Sequence, residues 1–363
     1  MEKNEILVIY GNNPAEMAVR IAESSELLKL IGDRKKRIGL KPNLVVSRPA
    51  AEGATTHPEI AAALIAYLKK NSFNNIVILE GSWVGDSTST AFSACGYRSF
   101  AKEAGVELID TQKDLYDLVD CKGMKIEICK SSREVDFMIN LPVLKGHCQT
   151  LLTCALKNNK GLISDSEKRR FHTMGLTKPI AHLNTAVRND FIVVDGICGD
   201  LDFEEGGNPV YGGRIFAARD PVLCDAWAAA LMGYSVSEIQ YISLAEKLGV
   251  GSLGPAVVRE LNQNSDAPPP PAPKGKVRQL SGFINEKSAC SACYAALIFA
   301  LSRLGNTERS RLAKVNIGQG FRGKELPGLG VGQCTSGSLL SFCHGCPPSG
   351  AEVLSFLKKH PGR

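Results

Sequence analysis

The chain has 363 residues, 22% charged and 44% hydrophobic, with 43 Lys and Arg against 37 Asp and Glu for a formal charge of +6. That length allows two domains with separate cores, and no apolar run reaches the roughly 18 residues that a membrane span needs. The basic residues are dispersed, without the basic arm or aromatic-basic interleaving that suits nucleic acid, so the expected partners are a small anionic substrate and a redox partner protein, with no nucleic acid and no membrane.

The opening M-E-K-N-E-I-L-V-I-Y enters a strand-like run at once, without the apolar core or small-residue cleavage site of a signal peptide. A cytoplasmic location is expected, and in that compartment clustered cysteines read first as metal ligands rather than disulfides. Short apolar runs at 6–10, 37–42, 75–81, 136–142 and 191–197 read as buried strands. Amphipathic stretches such as H-P-E-I-A-A-A-L-I-A-Y-L-K-K (57–70) lie between them and end in lysines, as helices do. This alternation predicts an α/β fold, a mostly parallel sheet with flanking helices. In such sheets ligands sit beyond the carboxyl ends of strands, which singles out Lys41 and Asn43, Glu80, and Asp195 as substrate-binding candidates. No internal repeat is evident.

The densest polar run is 141–172. It follows the apolar strand F-M-I-N-L, so Lys145 and His147 emerge at a strand end. T-L-L-T-C-A-L-K is helix-like, which would set Thr153 and Lys157 four apart on one face, with Asn158 and Gly161 closing the helix. Lys145, His147, Lys157 and His172 are the candidate catalytic groups, with Thr153 and Asn158 beside them for substrate. Such a group suits an anion and a proton transfer. Farther on, Asp220 reads as the N-cap of D-P-V-L-C-D-A-W, and Asp225 follows it with no clear role.

N-S-D-A-P-P-P-P-A-P-K-G-K is the plainest boundary, because four prolines in a row favour an extended spacer. It divides the chain into an α/β domain (1–262), a Pro-rich linker (263–276) and a cysteine-rich C-terminal domain (277–363). Of the twelve cysteines, seven are scattered over the large segment and read as small buried hydrophobes. The other five crowd the last quarter: Cys290 and Cys293 in C-S-A-C, then Cys334, Cys343 and Cys346. Two sets of thiols separated by a connecting segment can converge on one centre. Zinc is one occupant, held by four thiolates or by three with His344. A [4Fe–4S] cluster is the other and is favoured: an apolar helix, A-A-L-I-F-A-L, follows the first pair, and glycine-rich turns can bring backbone N–H groups to the sulfurs. Cys290, Cys293, Cys334 and Cys346 are the chosen ligands, with Cys343 a spare or alternate.

Several stretches together resemble the DUF362 family: L-K-P-N-L-V, the H-P-E-I helix leading to I-V-I-L-E-G, I-N-L-P-V-L-K-G-H…T-C-A-L-K-N-N-K-G, V-V-D-G-I, and R-D-P-V-L-C-D-A-W-A-A-A-L-M-G. The resemblance spans about residues 36–250 and implies an iron–sulfur association, since many members carry ferredoxin-type cysteine modules. The cysteine spacing here departs from the usual ferredoxin runs. A fainter similarity is to lactate racemase-like proteins, through the spacing of His147, Lys157 and His172 and an upstream Arg48-Pro49. It implies a shared fold and pocket position. In those proteins the lysine tethers a nickel pincer cofactor behind Ser-Gly-Gly, where this chain has T-C-A-L. The function expected is an iron–sulfur protein acting as a redox or lyase-type enzyme on a small anion. The alternatives are a non-catalytic electron carrier or cluster-delivery protein, and a lactate racemase-like isomerase.

Overall fold

A computed structural model describes residues 1–262 and 276–360, so the proline-rich linker lies outside the described residues except for Lys276. The described chain forms two compact units. The first holds 1–147, 152–168 and 177–262, and the second holds 148–151, 169–176 and 276–360. No single cut in the sequence reproduces this division, because two short excursions of the large segment group with the C-terminal region.

In chain order the first unit carries strands β1 (Glu5–Tyr10), β2 (Ile38–Pro42), β3 (Ile76–Glu80) and β4 (Glu107–Asp110), then a hairpin of β5 (Tyr116–Asp120) and β6 (Lys125–Cys129). After these come β7 (Phe137–Leu141), a small pair of β8 (Lys145–His147) and β9 (Leu151–Thr153), and β10 (Phe191–Asp200), β11 (Pro209–Ala218) and β12 (Val257–Glu260). Eight of them form one sheet in the order β12-β1-β11-β10-β7-β2-β3-β4. Five of its seven pairings are parallel; only β11 runs against both of its neighbours. The mostly parallel α/β sheet is as the sequence predicts, and all five expected strands are present.

Side-chain alternation explains why this sheet is buried on both faces. Ile38 and Leu40, Ile76 and Ile78, and Phe137, Ile139 and Leu141 point to one face, where helices Pro14–Ser24 and Pro58–Lys70 cover them with Ile21, Leu64 and Ile65. Val77, Leu79 and Met138 point to the other face and pack with Cys129, Val135 and Leu162. The pattern changes character at the carboxyl ends. Lys41 stands opposite Asn140 in register, both fully buried, so apolar strands terminate in a buried polar layer.

The helix Pro221–Leu231 starts as expected. Asp220 accepts hydrogen bonds from Val222 N (2.8 Å) and Leu223 N (3.1 Å), and its other oxygen accepts one from Ser252 N (2.9 Å). The expected helix over 150–157 is corrected. Residues 151–153 form β9, and only Ala155–Asn158 is helical, because Asp225 reaches across to receive Ala155 N (2.7 Å) and fixes the helix start there. Six of the seven scattered cysteines are buried and Cys148 is partly so, consistent with small packing residues.

The second unit contains a four-stranded sheet that is parallel throughout: β13 (Ile284–Glu286), β14 (Val315–Ile317), β15 (Leu329–Val331) and β16 (Ser341–Cys343), in sequence order. Helices Ser291–Arg303 and Gly350–Lys359 accompany it. Here a short recurrence exists that the sequence reading did not pick out. I-G-Q-G after β14 and V-G-Q-C after β15 both leave the strand through a glycine of positive φ (Gly318 and Gly332) into a 3-10 turn. Three residues per strand are too few for the repeat to register as periodicity.

Replacing Asp220 with Ala removes a cap and strands Ser252 N as well. A loss of about 1–2 kcal/mol of unfolding free energy is expected in urea titrations, against no measurable change for a surface substitution such as Lys35→Ala.

Candidate functional site

The polar layer of the first unit begins with a fully buried ion pair. Lys41 Nζ donates to Glu80 and to Pro42 O (2.8 Å), and Gly81 N donates to Glu80 Oε1 (2.8 Å). Burial drives each partner toward its neutral form, lowering Lys41 and raising Glu80. Their mutual attraction opposes this, and for Glu80 the Gly81 N–H and Lys168 add to the opposition. We read the pair as ionised, because each charge has several complementary partners. Gly161 makes it feasible: a Cβ there would lie 2.2 Å from Glu80 Oε1 and 2.6 Å from Lys41 Nζ. Asn158 holds the same layer together by donating to Lys41 O (3.2 Å) and Asn140 Oδ1 (2.7 Å).

Lys145 leaves β7 by way of β8 and is fully buried. Its Nζ donates to Asn43 Oδ1 (3.2 Å), Ala54 O (2.5 Å) and Glu204 O (3.0 Å). Burial pulls its amine down to about 7, while three acceptors match the three protons of an ammonium. Lys145 is thus a tie between loops, with its donors already committed.

His147 and Lys157 converge on one carboxylate. His147 Nε2 lies 3.1 Å from Glu204 Oε2, and Lys157 Nζ donates to Glu204 Oε1 and to Thr153 Oγ1 (3.1 Å). Burial, then Lys157, pushes the His147 imidazole down to about 4. Burial alone would raise Glu204, but Lys157 and His147 outweigh it and hold the carboxyl well below its usual range. Lys157 owes its position to Asp225, which caps the short helix that carries it.

Glu204, in D-F-E-E-G-G, was not among the sequence candidates. Two features bring it in. Asp200 accepts hydrogen bonds from Asp202 N, Phe203 N and Asn208 N (2.9–3.0 Å), which closes the loop. Gly146 lets that loop lie against β8, because a Cβ at 146 would come within 2.1 Å of Leu201 O. This is the physical content of K-G-H. Asp195 has a different occupation from the one expected. Its Oδ2 receives His57 N (2.8 Å) and faces His57 Nδ1 (2.7 Å), and its Oδ1 receives Ile197 N (3.1 Å). It fixes the start of helix Pro58–Lys70. His172 lies in the 169–176 stretch of the second unit.

In the second unit each of three strands sends a cysteine beyond its carboxyl end. Cys290 and Cys293 follow β13, Cys334 follows β15, and Cys346 follows β16; the turn after β14 supplies Gln319 and Arg322. Gln319 Nε2 lies 3.4 Å from Cys290 Sγ, and Arg322 Nε lies 3.3 Å from Cys334 Sγ. Gly332, two residues before Cys334, would place a Cβ 3.4 Å from Cys293 Sγ. Gln333 N donates to Gly345 O (2.9 Å), beside Cys346. A hydrogen bond between Cys290 and Cys293 lowers the first to about 6 and raises the second, with Cys346 and Cys334 raising Cys293 further. Cys343 is apart from this set: it is buried within β16, and burial followed by Glu352 raises its thiol. His344 stacks on Phe342 at 4.2 Å.

Among the described residues, one set of three metal-ligating atoms lies mutually within 4.8 Å, and it is elsewhere: Cys154, Cys224 and Asp225, all buried. There Asp225 is already engaged by Ala155 N, Leu156 N and Tyr241.

Residues 38–230 match a family described as a domain of unknown function, DUF362. The chain belongs to the DUF362 family. The DUF362 match takes in Lys41, Glu80, Lys145, His147, Lys157, Glu204 and Asp225, and ends before the cysteine quartet. A thylakoid-associated protein of Synechocystis sp. is 23% identical over 225 residues, covering 59% of this chain and 68% of that protein. Among solved structures, the lactate racemase apoprotein of Thermoanaerobacterium thermosaccharolyticum is similar at TM-score 0.39 and 14% identity, over 68% of this chain and 58% of that one. A Thermotoga maritima protein is similar at TM-score 0.36 and 13% identity, over 66% and 59%. The chain thus spans less than two thirds of each solved neighbour. Among the described residues no helix is long and apolar enough to cross a membrane.

In the unfolded chain an imidazole takes its proton near 6.5, whereas buried His147 resists protonation until about pH 4. Between those values the unfolded state binds more protons, so stability falls as pH falls through that window. Urea midpoints followed across it are expected to drop more steeply for the natural protein than for His147→Gln.

Proposed function

We propose that this DUF362 member is an iron–sulfur enzyme that acts on a small anion. In this reading Cys290, Cys293, Cys334 and Cys346 hold a [4Fe–4S] cluster, and Lys157 and His147 bind the anion. One observation carries the proposal: the turns after three of the four parallel strands, β13, β15 and β16, carry thiols near enough to act on one another, with a Cβ at Gly332 falling 3.4 Å from Cys293 Sγ and Arg322 beside Cys334. The donor set fits the group. Zinc–thiolate bonds of about 2.3 Å would draw four tetrahedral sulfurs to roughly 3.8 Å from one another. Four thiolates would serve either that ion or a cluster, and the donors beside them favour the cluster. Arg322 and Gln319 are donors aimed at ligand sulfurs, the kind of contact that tunes such a centre.

A cluster with all four irons held by thiolate supplies one-electron transfer. The remaining roles fall to the chain's own residues. Lys157 supplies a fixed positive charge that Thr153 orients. His147, kept neutral by burial, can present an N–H to an anion or take a proton from it. Lys145 holds the surrounding loops in register, and Lys41 with Glu80 keeps the floor of the site rigid.

Anaerobic preparation followed by iron, acid-labile sulfide and zinc determination tests this. About four iron and four sulfide per chain are expected, lost on Ser substitution of Cys290, Cys293, Cys334 or Cys346 and retained in Cys343→Ser. Colourless protein carrying zinc would overturn the cluster assignment. Lys157→Met with iron content intact separates the enzyme from a carrier, because an electron carrier keeps its function in that variant and the enzyme loses it.

A further inference from the structure

The anion-binding pair of the first unit is occupied by the protein's own side chain. The Glu204 carboxylate places one oxygen on Lys157 and the other on His147 Nε2. Lys157 and His147 are 1% and 3% exposed at the side chain, while Glu204 is 18% exposed. Solvent therefore reaches part of the Glu204 side chain but hardly the groups behind it. Glu204 rides on a loop fastened at its base. Asp200 gathers the N–H groups of 202, 203 and 208, and Gly207 N donates to Glu52 O (3.0 Å). Gly206 and Gly207 both have positive φ (73° and 110°), conformations that glycine adopts freely. Two left-handed glycines thus stand directly after the two glutamates.

We infer that the ligand of this site is a small monocarboxylate, and that Glu204 holds its place on Lys157 and His147 until the ligand displaces it. The inference rests on the proposed anion site and is independent of the cluster. One carboxylate exchanged for another leaves two oxygens on the same two donors and the same net charge in a water-poor site. A phosphate or sulfate dianion would bring one negative charge more than the Glu204 carboxylate it replaces, against the same Lys157, Lys160 and Lys145, and burying uncompensated charge is costly. Once Glu204 swings out, Lys157 keeps only Thr153 among its hydrogen-bond partners named above, so an arriving carboxylate restores a lost ion pair.

Glu204→Ala in the full chain vacates the place. Acetate is expected to bind this variant at least roughly tenfold more tightly than it binds the natural protein by calorimetry, and to raise its melting temperature in a concentration-dependent way. Phosphate and sulfate should do neither, and adding Lys157→Met should abolish the acetate effect. Equal acetate affinity in the two proteins, or stabilisation by phosphate matching that by acetate, would overturn the inference. Should Glu204→Ala fail to fold, hydrogen exchange on the natural protein decides: acetate should speed exchange at the amides of 203–207, and unchanged exchange counts against displacement. Iron and sulfide content, measured in the same samples, reports on the cluster separately, so either proposal can fail without the other.

Discussion

A lysine and a glutamate buried together at the ends of adjacent parallel strands are the constraint on which the first unit depends. Lys41 and Glu80 are almost wholly shut off from water, so each must be satisfied from within, and breaking such a pair costs about 3–5 kcal/mol. Satisfying them dictates much of what surrounds them. Gly81 gives its N–H, Gly161 gives up a side chain, and Lys168 comes close enough to be felt. Asn158 docks on the Lys41 carbonyl, and the same short helix carries Lys157. Charge buried in the sheet thereby fixes the backbone from which Lys157 projects.

The two units solve the same problem on different scales. Parallel strands end on a common edge, and the turns that leave them can be polar without disturbing the apolar layers behind. In the eight-stranded sheet this edge holds amines, amides and carboxylates. In the four-stranded sheet it holds thiols, with a guanidinium and an amide in the one turn that lacks a cysteine.

Strands legible in the sequence were those with continuous apolar runs. β4 escaped because E-L-I-D is half exposed, and β11 because P-V-Y-G-G-R breaks its apolar character with two glycines and an arginine. The residues of K-G-H and L-K-N were recognisable as chemistry, but their partner was not. Glu204 sits 47 residues beyond Lys157 in an acidic turn that looks solvated, and only the close approach at Gly146 reveals it. Asp195 had the right type and place for a ligand contact, yet His57 claims it, a pairing 138 residues apart. Of the five late cysteines, Cys343 belongs to a strand and is buried, a distinction from the other four, which follow strands, that the sequence alone does not display.

The recurrence of strand, glycine and turn in the second unit has a metric consequence. Neighbouring strands stand about 4.8 Å apart, so the four-strand ribbon from β13 to β16 is roughly 14 Å across. The turns that leave it are not bound to that width: a Cβ at Gly332, in the turn after β15, would stand 3.4 Å from Cys293 Sγ and 3.7 Å from Gly345 O. Backbone spacing therefore sets the ribbon, while the turns above it gather side chains from both margins into a narrower span.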